Sequence, residues 1–125
     1  MTVAELEAKL LVNQPLFNKL AIVNTPNLYG LFNTLIADHC RGNERCAEIL
    51  NNKPSHKLKM IYDDNMHIET MYYYVSWYDA NIRVSVNAIN INITVNGYYR
   101  QPNRIFEMEF ERFYELYVNN VYVKD

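Results

Sequence analysis

Three groups of side chains in this 125-residue chain could do chemistry, and each would need its own arrangement. His39, Cys40, Cys46 and His56 carry the imidazole and thiolate donors that a tetrahedral zinc ion takes. Their spacing, Cys-x5-Cys with a histidine beside the first cysteine, matches no structural zinc pattern, and both cysteines fit buried helical positions. The same cysteines could pair with His39, His56 or His67 as a thiol nucleophile and its base. Neither cysteine sits in a glycine-rich or helix-start setting that would lower a thiol pKa. Asp63, Asp64, Glu69 and Asp79 are carboxylates near expected strand ends, where acid–base or hard-metal chemistry could sit. Turn formation accounts for three of them without any catalytic role. With only 3 Gly in the chain, nothing resembles a loop that cradles phosphates. No catalytic residue, metal site or cofactor is expected, and the chain reads more readily as a non-enzyme than as an enzyme, a question the residues leave open.

The better candidates are aromatic. The aromatic content of 14% is carried mainly by 11 Tyr against 5 Phe, and tyrosine suits both a half-exposed sheet and a contact surface. Tyr72, Tyr74 and Tyr78 share one parity of an expected strand and Trp77 has the other. A strand that is aromatic on both faces must be covered twice or leave one face open. These four residues are the expected binding residues.

The elements that must position them follow from periodicity. From Ile68 to Asp79 the side chains alternate with period two, and so do Ile82 to Ala88 and Ile89 to Val95. The apolar parity flips between Ala88 and Ile89. A turn there would have to expose Ile89, so the reading is a β-bulge in one long bent strand. Asp79-Ala80-Asn81 and Asn96-Gly97 are expected to be the hairpin connections, with Gly97 in left-handed backbone.

Before residue 52 the period is helical. Thr2-Val3-Ala4-Glu5 fits a capping box that starts a helix at Val3, with a break expected at Pro15. Thr25-Pro26 reads as N-cap and first helical residue of a helix running to about Cys40, and Asn43 caps a short helix from Glu44 to Leu50. A short strand over Lys57 to Tyr62 and a turn at Asp63-Asp64-Asn65 follow. After a short strand from Tyr98 to Gln101, two periods compete, and the longer helical match predicts a helix over 105–118. Its Glu107, Glu111 and Glu115 would form a solvated stripe able to meet a basic partner. Val121-Tyr122-Val123 could dock as a last strand.

Helices followed by strands and one more helix predict an α+β domain. In it the N-terminal helices pack on one face of a curved antiparallel sheet of about four to five strands, with a C-terminal helix. A single domain is expected over 1–125, divided into a helical half at 1–52, strands at 56–101 and the helix at 105–118.

Net charge is −2 with Lys and Arg scattered, so no nucleic-acid partner is expected. No apolar run is long enough to span a membrane, and acidic residues stand where a signal peptide would be basic. The formal sequon Asn92-Ile93-Thr94 is then accidental, and two free thiols suit a cytoplasmic setting. Frequent Asn, Ile and Tyr are typical of AT-rich genomes, many viral ones included, which would place the chain in host cytoplasm or nucleus.

The function expected is a non-catalytic protein-interaction protein, such as a small virus-encoded inhibitor, adaptor or self-assembling component. Its partner would be another protein or a second copy. A homodimer through the sheet is expected because its strands carry few charges to protect them. The alternative is a small-ligand-binding or hydrolytic domain with a pocket between sheet and helices, using Asp63, Asp64, His67 or tyrosines.

Overall fold

The computed structural model describes residues 2–97 and 100–118. Three helices, α1 (Val3–Ala21), α2 (Thr25–His39) and α3 (Glu44–Asn51), precede five strands. These are β1 (Ser55–Tyr62), β2 (Ile68–Trp77), β3 (Ala80–Val86), β4 (Asn90–Gly97) and β5 (Arg100–Glu109). The chain then enters α4 (Phe110–Phe113), which continues as a π-helical segment, Tyr114–Val118. The strands form one open antiparallel meander in the order β1-β2-β3-β4-β5. The fold is α+β.

The sheet has one apolar and one polar face, and the register decides which residues share each. Met71, Tyr73 and Val75 of β2 point the same way as Ile82, Val84 and Val86 of β3 and Ile91, Ile93 and Val95 of β4. All nine are buried in one cluster with Phe17 and Leu20 of α1, five α2 residues, Ile49 of α3, and Phe110, Phe113 and Val118 of the last helix. Every helix therefore packs on the same face.

The parity flip at Ala88-Ile89 is a turn, not a bulge. Val86 pairs with Ile91, so β3 and β4 are separate strands. The Asn87 Oδ1 accepts from the amides of Ile89 at 2.8 Å and Asn90 at 2.9 Å. An asparagine that bonds its own following backbone is a turn in itself. Ile89 stays half-buried because the turn is docked: its carbonyl accepts from the Phe110 amide at 3.0 Å, and the Ala88 carbonyl accepts from Nδ2 of buried Asn13 at 2.8 Å. The Cys40-to-Glu44 connection holds Gly42 at φ +80.

Other expectations shift by a few residues. Trp77 pairs with Ala80, so Tyr78-Asp79 makes the β2–β3 turn, and Ala80 and Asn81 already belong to β3. Asn96 and Gly97 lie inside β4, opposite Asn81 and Arg100; the β4–β5 connection at 98–99 lies outside the described residues, as does Val121-Tyr122-Val123.

The helix expected over 105–118 begins only at Phe110. Phe106 and Met108 pair with Ile93 and Ile91 and pack against the core, while Glu107 and Glu109 are exposed. Both competing periods are real: alternation holds to Glu109, and helical spacing then buries Phe110, Phe113, Tyr114 and Val118. Pro102 is tolerated because β5 is an edge strand.

Pro15 does not break α1. The missing amide deprives the carbonyl of Leu11, one turn earlier, and Leu11 is 80% exposed where water can replace it. At the start of α1 the Thr2 hydroxyl accepts from the Glu5 amide at 3.1 Å, and the cap of α2 is Asn24, one residue before the threonine expected there. Asn43 caps α3 as expected.

Replacing Asn87 with Ala should remove the acceptor for two turn amides and destabilise the fold by roughly 1–3 kcal/mol. Urea unfolding checks it, with Asn92→Ala on the polar face as the comparison.

Candidate functional site

The polar face of the sheet carries the tyrosines. On β2, Thr70, Tyr72, Tyr74 and Ser76 alternate with the buried set, so Tyr72 and Tyr74 lie side by side with ring centroids 6.1 Å apart. No helix packs over them, since all four belong to the other face. Register then assembles two transverse rows across all five strands. One runs Lys57, Tyr74, Arg83, Thr94, Arg104. The next runs Lys59, Tyr72, Ser85, Asn92, Glu107.

The cations of these rows are in two states. Arg104 is ion-paired with Glu107. Lys57 and Lys59 have no carboxylate partner among the described residues. Arg83 leans its guanidinium over the Tyr72 ring at 5.7 Å, a cation–π contact, while its Nε is buried without a hydrogen-bond partner. Periodicity cannot show this clustering, because residues of one row are far apart in sequence. The one sequence signal was Lys57 and Lys59 at period two within β1.

The four expected binding residues divide into two pairs. Tyr72 and Tyr74 share the open face. Trp77 has the opposite parity and packs partly against the core. Tyr78 occupies the β2–β3 turn at φ 51 and is 88% exposed, its ring 5.2 Å from that of Trp77. Left-handed backbone costs a bulky residue about 1–2 kcal/mol. A two-residue hairpin turn requires such a conformation, and Lys53 and Met66 adopt it as well.

The zinc and nucleophile candidates are dispersed. His39, at the end of α2, stacks on Phe106 with centroids 3.7 Å apart and bonds the Tyr117 hydroxyl through Nε2 at 2.8 Å. Tyr117 donates its one proton to Asp38 at 3.1 Å, so the His39 Nε2 must carry the proton it shares. Burial lowers the His39 pKa from 6.5 against the opposing pull of Asp38.

His56, on β1, belongs to a different network. It bonds the buried Tyr73 hydroxyl through Nδ1 at 2.7 Å, and Tyr73 donates to Asn33 at 2.7 Å. Burial pushes the Tyr73 hydroxyl up to about 12. Sequence reasoning passed over this tyrosine, whose inward parity was its signal.

Cys40 and Cys46 are buried free thiols. Their mutual hydrogen bond, with burial behind it, raises the Cys40 pKa, while the same bond pulls Cys46 down. Among the described residues no three His, Cys, Asp or Glu come together as a metal group.

The carboxylates divide, with Asp63, Asp64 and Glu69 at one end of β2 and Asp79 at the other. Asp63 uses Oδ1 to accept from the Asn65 and His67 amides, both at 2.9 Å, so it builds the β1–β2 turn. With His67 and Glu69 it borders a cleft of about 570 Å³ between α1 and the β3–β4 turn. Asp79 lies at the other end of β2, about 30 Å away along a strand of that length.

No family model, curated protein or solved structure matches the chain. No helix among the described residues is long and apolar enough to cross a membrane.

The lowered His39 pKa carries a sign. The unfolded chain takes up this proton first, so stability associated with neutral His39 is present above about pH 6.5 and is lost as pH falls below it toward the folded-state pKa. Thermal melts from pH 8 to pH 5 should show a steeper acid loss for the wild type than for His39→Gln.

Proposed function

We propose that this chain is a non-catalytic interaction protein that binds another protein through the outer face of its sheet. The observation that carries the reading is the Tyr72–Tyr74 pair on a face that no helix covers. Tyrosine and arginine are the residues enriched at interface centres, and Arg83 stands over the first of the pair. Tyr78, held exposed in a costly backbone conformation beside Trp77, would extend the contact around the β2–β3 end.

The pocket alternative has less behind it. Its cleft is bordered by Asp63, whose carboxylate is already occupied with backbone amides, and the outer-face tyrosines do not line it.

Self-association is a second reading, with a different surface in its favour. Two copies meeting through the outer face would bury Lys57, Lys59 and Arg83 in the contact. The side of α1 away from the core instead exposes Val3, Leu11 and Val12, with an apolar groove between Leu10, Leu11 and Pro15. A homodimer would form there. Buried free thiols at Cys40 and Cys46 favour a reducing compartment, the cytoplasm, or host cytoplasm or nucleus for a virus-encoded inhibitor or adaptor.

Affinity capture from lysate of the native cell or host tests both readings together, using wild type, Tyr74→Lys and Leu11→Lys. The outer-face reading expects one partner retained by Leu11→Lys and lost with Tyr74→Lys. Sedimentation of the same samples should show a dimer, if α1 forms one, dissociated only by Leu11→Lys. Capture indifferent to Tyr74→Lys would overturn the outer-face reading.

A further inference from the structure

Resting on that reading, we infer that the partner element bound by the outer face is an extended acidic segment of a protein, with carboxylates at alternate positions meeting Lys57, Lys59 and Arg83. The charge distribution carries the inference. The chain has 12 Lys and Arg against 14 Asp and Glu, so cations are the minority. Among the described residues the outer-face strand positions nevertheless hold four cations, Lys57, Lys59, Arg83 and Arg104, against two acids, Glu107 and Glu109. Both acids lie on β5 and are already paired, Glu107 with Arg104 and Glu109 with Lys9. The β1–β3 side of the face therefore presents three cations with no carboxylate partner among the described residues.

Edge lysines alone would have an ordinary explanation, since they discourage strand pairing at the open edge of β1. Arg83 does not fit it. It lies on β3, the central strand, where no edge needs protection, and its buried Nε lacks an acceptor. Nε itself is shielded, so an incoming carboxylate would accept from the terminal amino groups of the guanidinium, which can donate two parallel hydrogen bonds.

Geometry favours a polypeptide. Lys57 and Lys59 are two residues apart on one strand, and the tyrosine rings facing them are 6.1 Å apart, close to the roughly 6.6 Å two-residue repeat of an extended chain. A segment running along β1–β2 with acidic residues at every second position would set one carboxylate beside Lys57 and the next beside Lys59 and the Arg83 guanidinium that leans over Tyr72. A nucleic-acid strand fits less well. Its affinity comes chiefly from many phosphate contacts, and three unpaired cations on a protein of net charge −2 supply few.

The test is amide chemical-shift mapping of the full chain against a peptide of alternating Glu and Thr, with an alternating Lys and Thr peptide and oligothymidylate as comparisons. Saturable shifts around Lys57, Lys59, Tyr72, Tyr74 and Arg83 are expected with the Glu peptide alone, weakening as salt is added. Affinity should fall by up to about fivefold for each cation removed. The variants are Arg83→Gln and the double Lys57→Gln, Lys59→Gln; both lysines are exposed, so their loss leaves the fold intact even if Arg83→Gln does not.

Absence of these shifts, equal response to the Lys peptide, or preference for oligothymidylate overturns the acidic-segment inference. If Tyr74→Lys still abolishes protein capture in that event, the contact face stands and only its chemistry is wrong. If capture is also indifferent to Tyr74→Lys, both fall.

Discussion

The architecture depends on the turn closed by the Asn87 side chain. By bonding the amides of Ile89 and Asn90, it reverses the chain within two residues and flips the apolar parity. That flip is what lets Ile91, Ile93 and Val95 of β4 face the same core as Ile82, Val84 and Val86 of β3. The turn is also where distant elements meet, since α1 reaches it through Asn13 and α4 begins on the Ile89 carbonyl. A one-residue slip there would turn Asn92 and Thr94 inward and β4's apolar side chains out.

Because the faces are sorted so completely, the helices can all pack on one of them, and the other carries what the core rejects. The result is a surface of asparagine, serine and threonine in which a tyrosine pair and unpaired cations stand out. Net charge conceals this. In a chain of net charge −2, the register of the strands, rather than any sequence cluster, brings Lys57, Lys59 and Arg83 to one face.

Much of the fold was legible because its signals are local. The caps at Thr2 and Asn43, the Asp63 turn and the alternation of β2 and β3 depend on neighbours within a few residues. What misled depends on distant partners. Bulge and turn produce the same parity flip at Ala88-Ile89, and only the docking of Ile89 against α4 removes the objection to the turn. The strand from Arg100 to Glu109 needed β4 as its partner to win over a helical period that is real from Phe110 onward. At the site, Tyr72 and Tyr74 were legible as a pair on one parity. The separation of Tyr78 from Tyr72 and Tyr74 followed from a turn that begins one residue earlier than Asp79-Ala80-Asn81 suggests, and the cation rows were invisible without register.

Tyrosine reactivity tests the central claim, that β2 places successive tyrosines on opposite faces and leaves one face open. Limited nitration of the native protein, read by peptide mass mapping, should modify Tyr72 and Tyr74 while Tyr73 between them is spared until the fold is lost. Nitration of Tyr73 at the rate of its two neighbours would contradict the account.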